Sequence, residues 1–251
     1  MNNNSTNSYT AAMLAIGDEL LSGRTKDKNI ALLAETLTQV GIELKEVRIV
    51  GDEDTAIIAG INALRAQYDY VFTSGGIGPT HDDITAESIS KAFDLPCIFN
   101  PEAELILSDY YKERDVPFTP ARRLMTRTPQ GASLIANSVS AAPGFKISNV
   151  FVLAGVPNVF NAMLNAILPS LDKGTPFQSI SINCPFGEGV ISQKLGEIQK
   201  ANPQTIIGSY PKFSENKENP FSVELVIKSK DATALDKASA EVLSMIKELE
   251  K

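Results

Sequence analysis

The sequence predicts a three-layer α/β domain with a mostly parallel sheet over residues 10–173, followed by a small α+β domain over 175–251. Three observations carry this. Short apolar runs alternate with segments of helical spacing through the first two thirds of the chain, the pattern of βαβ units. Glycine-rich junctions recur where an apolar run gives way to a helix. Beyond LDKGTP (171–176), which reads as a linker, the alternation stops and the order becomes βαββα.

AAMLAI (11–16) is an apolar run ending at Gly17 and reads as a buried strand. NIALLAETLTQV (29–40) places Ile30, Leu33, Leu37 and Val40 at helical spacing, with Gly41 as its C-cap. IELKEVRIV (42–50) is the second strand, and GDEDT (51–55) supplies turn and cap residues for a helix over about 54–66. DYVFTS (69–74) is a third strand that runs into GGIGPTHDD (75–83), with a helix over about 83–93. The helix over 101–115 starts at Pro101, which suits a first helical turn. Residues 117–133 read as loop plus a short helix. Residues 133–155 read as two strands turning at Pro143-Gly144, and 156–171 as a helix opened by Pro157. In the small domain 177–183, 205–210 and 221–229 are strands, KFSENKENP (212–220) is a polar loop, and 187–201 and 231–251 are helices. Asp231 is the expected N-cap of the last one.

Composition bounds the function. The 251 residues carry 23 basic and 30 acidic side chains, a net charge of −7. Residues up to Gly174 hold 14 basic and 20 acidic groups, and the remainder 9 and 10. Neither part has the basic surplus of a nucleic-acid binder, so no nucleic-acid partner is expected. Cys97 and Cys184 form no CxxC pair, which argues against a disulfide scaffold or structural zinc. The lone histidine, His81, leaves no His-rich metal centre. The stretch NNNSTNS (2–8) lacks the apolar core of a signal peptide, and no run approaches the ~20 apolar residues that span a bilayer. A cytoplasmic protein with no membrane partner is the expectation.

Chemistry concentrates in GGIGPTHDD. Ligands of open α/β sheets collect beyond the carboxyl ends of the strands. Gly75, Gly76 and Gly78 would let backbone amides approach an anion, with the following helix start adding unpaired N–H groups. Asp82 and Asp83 are hard oxygen ligands, and carboxylates beside a phosphate call for a cation such as Mg²⁺ between them. The same stretch also reads as a tight turn with Asp82 or Asp83 capping the helix. IGDELLSG (16–23) follows another strand, so Asp18 and Glu19 should share that sheet edge if the first and third strands are neighbours. They too are candidate metal ligands, or a turn cap and a solvated acid. ANSVSAAPG (136–144) and LAGVPN (153–158) mark a further junction, bringing Asn137, Pro143, Gly144, Gly155 and Pro157, or merely a hairpin and a helix start. His81 is a candidate general base or an ordinary turn residue. Arg122, Arg123 and Arg127 are phosphate partners or a solvated helix face. Tyr210 and Phe213 are ring-stacking candidates or core anchors.

Together IGDE (16–19), GGIGPTHDDITAESISKAF (75–93) and NVFVLAGVP (149–157) resemble the MoaB/MogA-like molybdopterin-binding family. More narrowly they resemble the amino-terminal region of CinA, competence/damage-inducible proteins, and the molybdopterin-binding-like domain of FAD synthase. IGSYPKF (207–213) extends the likeness into the small domain, which resembles the KH-like module of CinA. GEGV (187–190) is not the GxxG loop an RNA-binding KH domain needs. Two departures stand out: SAAPG (140–144) where relatives carry GTAPG, and AGVP (154–157) where they carry PGVP or PGIP.

The resemblance implies a nucleotide or pterin pocket in a homo-oligomer. It implies Gly17, Gly75, Gly76, Gly78, Thr80, Asn137, Pro143, Gly144, Gly155 and Pro157 around the ligand. Asp82 and Asp83 would be catalytic, and Asp18, Glu19, Asp82 and Asp83 would hold a divalent metal, Mg²⁺ or Co²⁺, with room for a monovalent cation. The main expectation is a metal-dependent pyrophosphatase acting on FAD or ADP-ribose. The alternatives are a molybdopterin-binding or adenylyl-transfer protein of molybdenum-cofactor assembly and a non-catalytic nucleotide-binding module. Neither the deamidase of long CinA proteins nor the adenylyltransferase of FAD synthase is expected in this stretch.

Overall fold

A computed structural model of the chain describes residues 8–213 and 221–250. The stretch up to residue 7, most of the polar loop expected at 212–220, and the side chain of Phe213 lie outside the described set. The chain divides into two compact units, Met1–Gly174 and Thr175–Lys251.

The first unit opens with β1 (Tyr9–Ile16), the short α1 (Asp18–Leu21), α2 (Asn29–Gln39), β2 (Ile42–Val50), α3 (Asp54–Gln67) and β3 (Tyr70–Ser74). It continues with α4 (Thr85–Ala92), β4 (Cys97–Phe99), α5 (Pro101–Lys112), α6 (Pro120–Arg123) and β5 (Arg127–Pro129). It ends with β6 (Ser133–Ile135), β7 (Gly144–Ile147), β8 (Val150–Leu153) and α7 (Pro157–Ile167). Among the described residues six strands form one sheet in the order β2-β1-β3-β8-β7-β6. The first four are mutually parallel, and β7 and β6 complete it antiparallel.

The alternation along the strands builds the three layers. On β1, Ala11, Met13 and Ala15 face one core with Leu33 and Leu37 of α2 and Phe160, Met163 and Leu164 of α7. Ala12, Leu14 and Ile16 face the other with Ile57, Ile61 and Leu64 of α3 and Ala86 and Ile89 of α4. Both faces of the inner parallel strands are covered, which is why β1 and β8 read as continuous apolar runs while the edge strand β2 does not. Phe72 of β3 and Phe151 of β8 stack at 5.3 Å between ring centroids in the first core.

Two expectations change. The expected turn is present, since β6 and β7 pair antiparallel across a loop that ends at Pro143, but the segment after it is itself a hairpin: a second turn at Ser148, whose φ of 53° is carried without glycine, divides β7 from β8. The pair β4–β5 had no sequence signal, since three-residue strands are too short to show alternation.

The second unit consists of β9 (Gln178–Cys184), α8 (Glu188–Ala201), β10 (Ile206–Phe213), β11 (Phe221–Ser229) and α9 (Ala232–Leu249). Its antiparallel sheet runs β10-β11-β9, and Val223, Leu225 and Ile227 pack with Leu235, Val242 and Ile246 of α9. Asp231 caps α9, accepting from the Thr233 and Ala234 amides at 2.8 and 3.1 Å.

Candidate functional site

Strand register creates the site. Ile16 lies beside Val50, Ala15 beside Ser74, and Ser74 beside Leu153. The residues after all four parallel strands therefore emerge at one edge. The Gly17 amide donates to the Val50 carbonyl at 3.0 Å and the Gly75 amide to the Leu153 carbonyl at 3.1 Å, carrying the ladder one residue past the strands. A cavity of about 630 Å³ opens there, within the usual range for small-molecule sites.

Glycine is required in its floor for a geometric reason. Gly75 (φ 110°) passes so close to β1 that a Cβ would run into the Ile16 carbonyl oxygen, and at Gly76 (φ 68°) a Cβ would strike the Thr85 hydroxyl. Thr85 locks the turn by donating its hydroxyl to the Gly75 carbonyl at 3.0 Å and its amide to the Gly76 carbonyl at 3.0 Å. The Gly75 amide is consumed by the sheet. The amides of Gly76, Ile77 and Gly78 have no hydrogen-bond partner among the described residues, and these three residues line the cavity. They are the groups left to meet an anion.

Neither Asp82 nor Asp83 caps α4, whose N-cap is Ile84 without a side-chain bond. Asp83 folds back to accept the Thr80 amide at 2.7 Å and the Thr80 hydroxyl. Both aspartates line the cavity, while Thr80 is occupied with holding Asp83 and does not. The Thr80 side chain beside it, a hydrogen bond from its own backbone amide and the electrostatic pull of nearby His81 hold the Asp82 carboxyl below the usual carboxylate range. His81 itself is exposed and lies off the cavity wall.

Glu19 lines the cavity but Asp18 does not. The Asp18 amide donates to Asp52 Oδ2 at 3.0 Å, and its carboxylate turns toward the Gly51-Asp52 backbone. The wall acid contributed by the β2–α3 turn is Asp52, which sequence reasoning read only as a turn or cap residue. Burial raises its pKa, and the neighbouring carboxylates of Asp18, Glu19 and Asp82 push the same way, against the lowering hydrogen bond from the Asp18 amide.

Asn137, Pro143, Gly155 and Pro157 also line the cavity, and Gly155 passes beside Gly75. Asn137 is fully engaged within its own loop: Nδ2 donates to Ser140 Oγ and the Ala142 carbonyl, and Oδ1 accepts from the Val139 and Ser140 amides. It shapes the wall and offers no side-chain hydrogen bond beyond these. Gly144 is buried in β7, where a Cβ would meet the Val152 carbonyl, and it does not line the cavity. At the departures from the family pattern, Ala141 takes a φ of 60°, and the Ala154 amide, which a proline would lack, donates to Met163 Sδ at 3.4 Å. Arg127 faces no ligand space: it bonds the Asp83 carbonyl, Glu87 and the Leu124 carbonyl.

Among the described residues no group of three or more His, Cys, Asp or Glu side chains is arranged to hold a metal ion. Four carboxylates line the cavity, Glu19, Asp52, Asp82 and Asp83, of which Asp83 is engaged by Thr80 and Asp52 Oδ2 by the Asp18 amide. Such a donor set suits Mg²⁺ only in the manner of phosphate-dependent sites, where one or two carboxylates share the ion with ligand oxygens and water. Among the described residues no helix is long and apolar enough to cross a membrane.

Residues 12–173 match the probable molybdopterin binding domain family, and residues 176–250 match the FAD synthase middle domain. A protein of Archaeoglobus fulgidus is 32% identical over 80% of this chain and 85% of its own length. A CinA-like protein of Desulfosudis oleivorans is 34% identical over 82% of this chain, which spans 52% of that relative. The crystal structure of CinA from Thermoplasma acidophilum, a protein of unknown function, superposes with a TM-score of 0.59 at 30% identity, covering 64% of this chain and 98% of that one.

Proposed function

The chain belongs to the probable molybdopterin binding domain family, and on that premise we propose that its first unit binds a phosphorylated fused-ring ligand of the molybdopterin or nucleotide class. The observation that carries this reading is the row of unpartnered amides at Gly76, Ile77 and Gly78 on the wall of a 630 Å³ cavity. Backbone N–H groups converging beside a tight glycine turn suit phosphate oxygens. The apolar side chains of Ile16, Met125, Val159 and Met163, which line the same cavity, suit the faces of a ring system. A divalent ion held with Asp82 and Asp52 would neutralise phosphate charge against the acidic wall. The protein's own part is to position: Thr85 fixes the glycine turn, Asp83 fixes Thr80, and Asn137 fixes the facing loop.

A second reading is hydrolysis of a diphosphate linkage such as that of FAD or ADP-ribose. It is favoured by two carboxyl groups in one cavity whose pKa values move in opposite directions, Asp52 up and Asp82 down. Groups pushed apart in this way divide into acid and base. Asp82 would accept a proton from the attacking water as its oxygen bonds to phosphorus. Asp52 would return a proton to the departing phosphate oxygen as the P–O bond breaks. Match of the second unit to the FAD synthase middle domain lends it support.

Incubation of the full chain with adenylylated molybdopterin, FAD and ADP-ribose, with and without Mg²⁺, tests both. Tight binding with intact ligand recovered supports the first reading. Release of AMP supports the second. Binding of none of the three overturns both.

A further inference from the structure

Asn202 follows the last residue of α8 and is 5% exposed. Its Nδ2 donates to the Ile198 carbonyl at 2.9 Å and to Glu241 Oε2 of α9 at 2.7 Å. A carbonyl and an ionised carboxylate can only accept, so the amide orientation is fixed and Oδ1 is the remaining atom. Oδ1 has no hydrogen-bond partner among the described residues. It is nevertheless not one of their unpartnered side-chain atoms shut off from solvent, which are Asn29 Oδ1, Thr73 Oγ1 and Ser239 Oγ. It therefore reaches an opening. The opening that Asn202 lines is a recess of about 310 Å³, bounded by Pro203 of the turn after α8 and by Asp231, Ala234 and Lys237 at the start of α9.

We propose that this recess binds an alkylammonium or alkylguanidinium group, with Asn202 Oδ1 accepting one of its N–H bonds. The site belongs to the second unit alone and does not depend on the reading of the main cavity. A buried polar side chain whose last acceptor stays open calls for a donor. Asp231 supplies the countercharge: its Oδ1 accepts the Thr233 and Ala234 amides, and its Oδ2 has no hydrogen-bond partner among the described residues. The same carboxylate already occupies the positive end of α9, which works against an anion there. Lys237 does not cancel it, because its Nζ lies 3.8 Å from Glu241 Oε1. Asn202 also stands at the negative end of α8, which favours a cation. Ala201, Pro203 and Ala234 on the lining offer apolar surface for a short aliphatic stem. One head group with several N–H donors can serve both acceptors.

Titration of the isotope-labelled full chain with n-butylguanidinium, n-butylammonium and n-butanol at constant ionic strength, followed by the NMR shifts of its amides, tests this. The expected result is saturable shifts at the Asn202, Thr233 and Ala234 amides with one or both cations and none with the alcohol. The tighter cation identifies the head group. Asp231→Asn keeps an oxygen for the two α9 amides, since asparagine caps a helix as well as aspartate does. It should weaken cation binding about ten-fold or more, the loss of a hydrogen bond to a charged group. The same spectra show that this variant is folded. Cation shifts spread over the exposed carboxylates at large, equal shifts with butanol, no saturable shift, or unchanged affinity in Asp231→Asn would each overturn the proposal.

Discussion

The guanidinium of Arg127 donates to the main-chain carbonyl of Asp83 at 2.7 Å, across 44 residues of sequence, while its other arm bonds Glu87 Oε1 at 2.6 Å. It thereby ties the end of the glycine turn and the first turn of α4 to β5. With its side chain only 14% exposed, Arg127 is a structural clamp and not a free cation for phosphate. The residue after Asp82 is thus anchored through its carbonyl by a side chain that does not line the cavity.

Arg127→Ala should cost about 1–3 kcal/mol, the range for losing hydrogen bonds to a charged group, and weaken ligand binding by loosening the turn. Arg127→Lys should recover little of it, because an ammonium cannot span both acceptors in the fork geometry. Denaturant unfolding beside calorimetry measures the two effects. Wild-type stability in Arg127→Ala would show that the turn holds itself.

Gly75→Ala should be far more damaging than Gly131→Ala. Both positions have positive φ, 110° and 84°, but a Cβ at Gly131 meets nothing within 4 Å, whereas at Gly75 it meets the Ile16 carbonyl. The expected cost is about 1–2 kcal/mol at Gly131 for backbone strain alone. At Gly75 steric overlap adds to strain of about 1–3 kcal/mol, and β1 and β3 must part at the cavity floor. Thermal unfolding of the two variants compares them directly.

The sheet was legible because buried parallel strands such as 11–16 and 150–153 are short unbroken apolar runs between helical stretches. The glycine turn was legible because Gly75, Gly76 and Gly78 lie together beside Asp82 and Asp83. Asp52 was not, because its place on the wall depends on the parallel register of β1 with β2, which no local pattern reveals. Asn202 closes an ordinary helical stretch, and only packing shows that both its donors are used and its acceptor is not. Asn137 carried the opposite ambiguity: the sequence marks it as polar at a junction, and the structure spends it on its own loop.

Asp52 gives the protein a pH dependence of defined sign. Its native pKa is raised above the ordinary 3.8 by burial and by Asp18, Glu19 and Asp82. The native state therefore holds this proton more tightly than the unfolded chain. The stabilising contribution is fully present below the unfolded pKa and is lost as pH rises through the native one. Asp52→Asn, which keeps an oxygen for the Asp18 amide, should gain stability relative to wild type as pH rises across that window and show no such gain below it. Unfolding midpoints for both proteins across a pH series give the answer, and a constant difference at every pH would remove the strain assigned to Asp52.

The last expectation concerns the opposed charges of the cavity. On the proposed reading the amides of Gly76, Ile77 and Gly78 attract phosphate, while Glu19, Asp52, Asp82 and Asp83 in the same cavity repel it. Without a cation the two influences oppose each other. A divalent ion shared between carboxylate and phosphate reverses the second influence. ADP-ribose should therefore bind much more tightly than AMP when Mg²⁺ is present, and chelation should narrow the gap. Asp82→Asn removes one repelling charge and one metal donor together. It should raise ADP-ribose affinity in chelator and lower the gain that Mg²⁺ brings, a crossing pattern that a general loosening of the turn cannot imitate. Calorimetry with AMP and ADP-ribose on both proteins, with and without chelator, measures all the terms. Equal affinities for the two ligands, unmoved by chelation, would mean that the phosphate is not bound at the glycine turn, and the ring contacts of the cavity would then have to carry recognition alone.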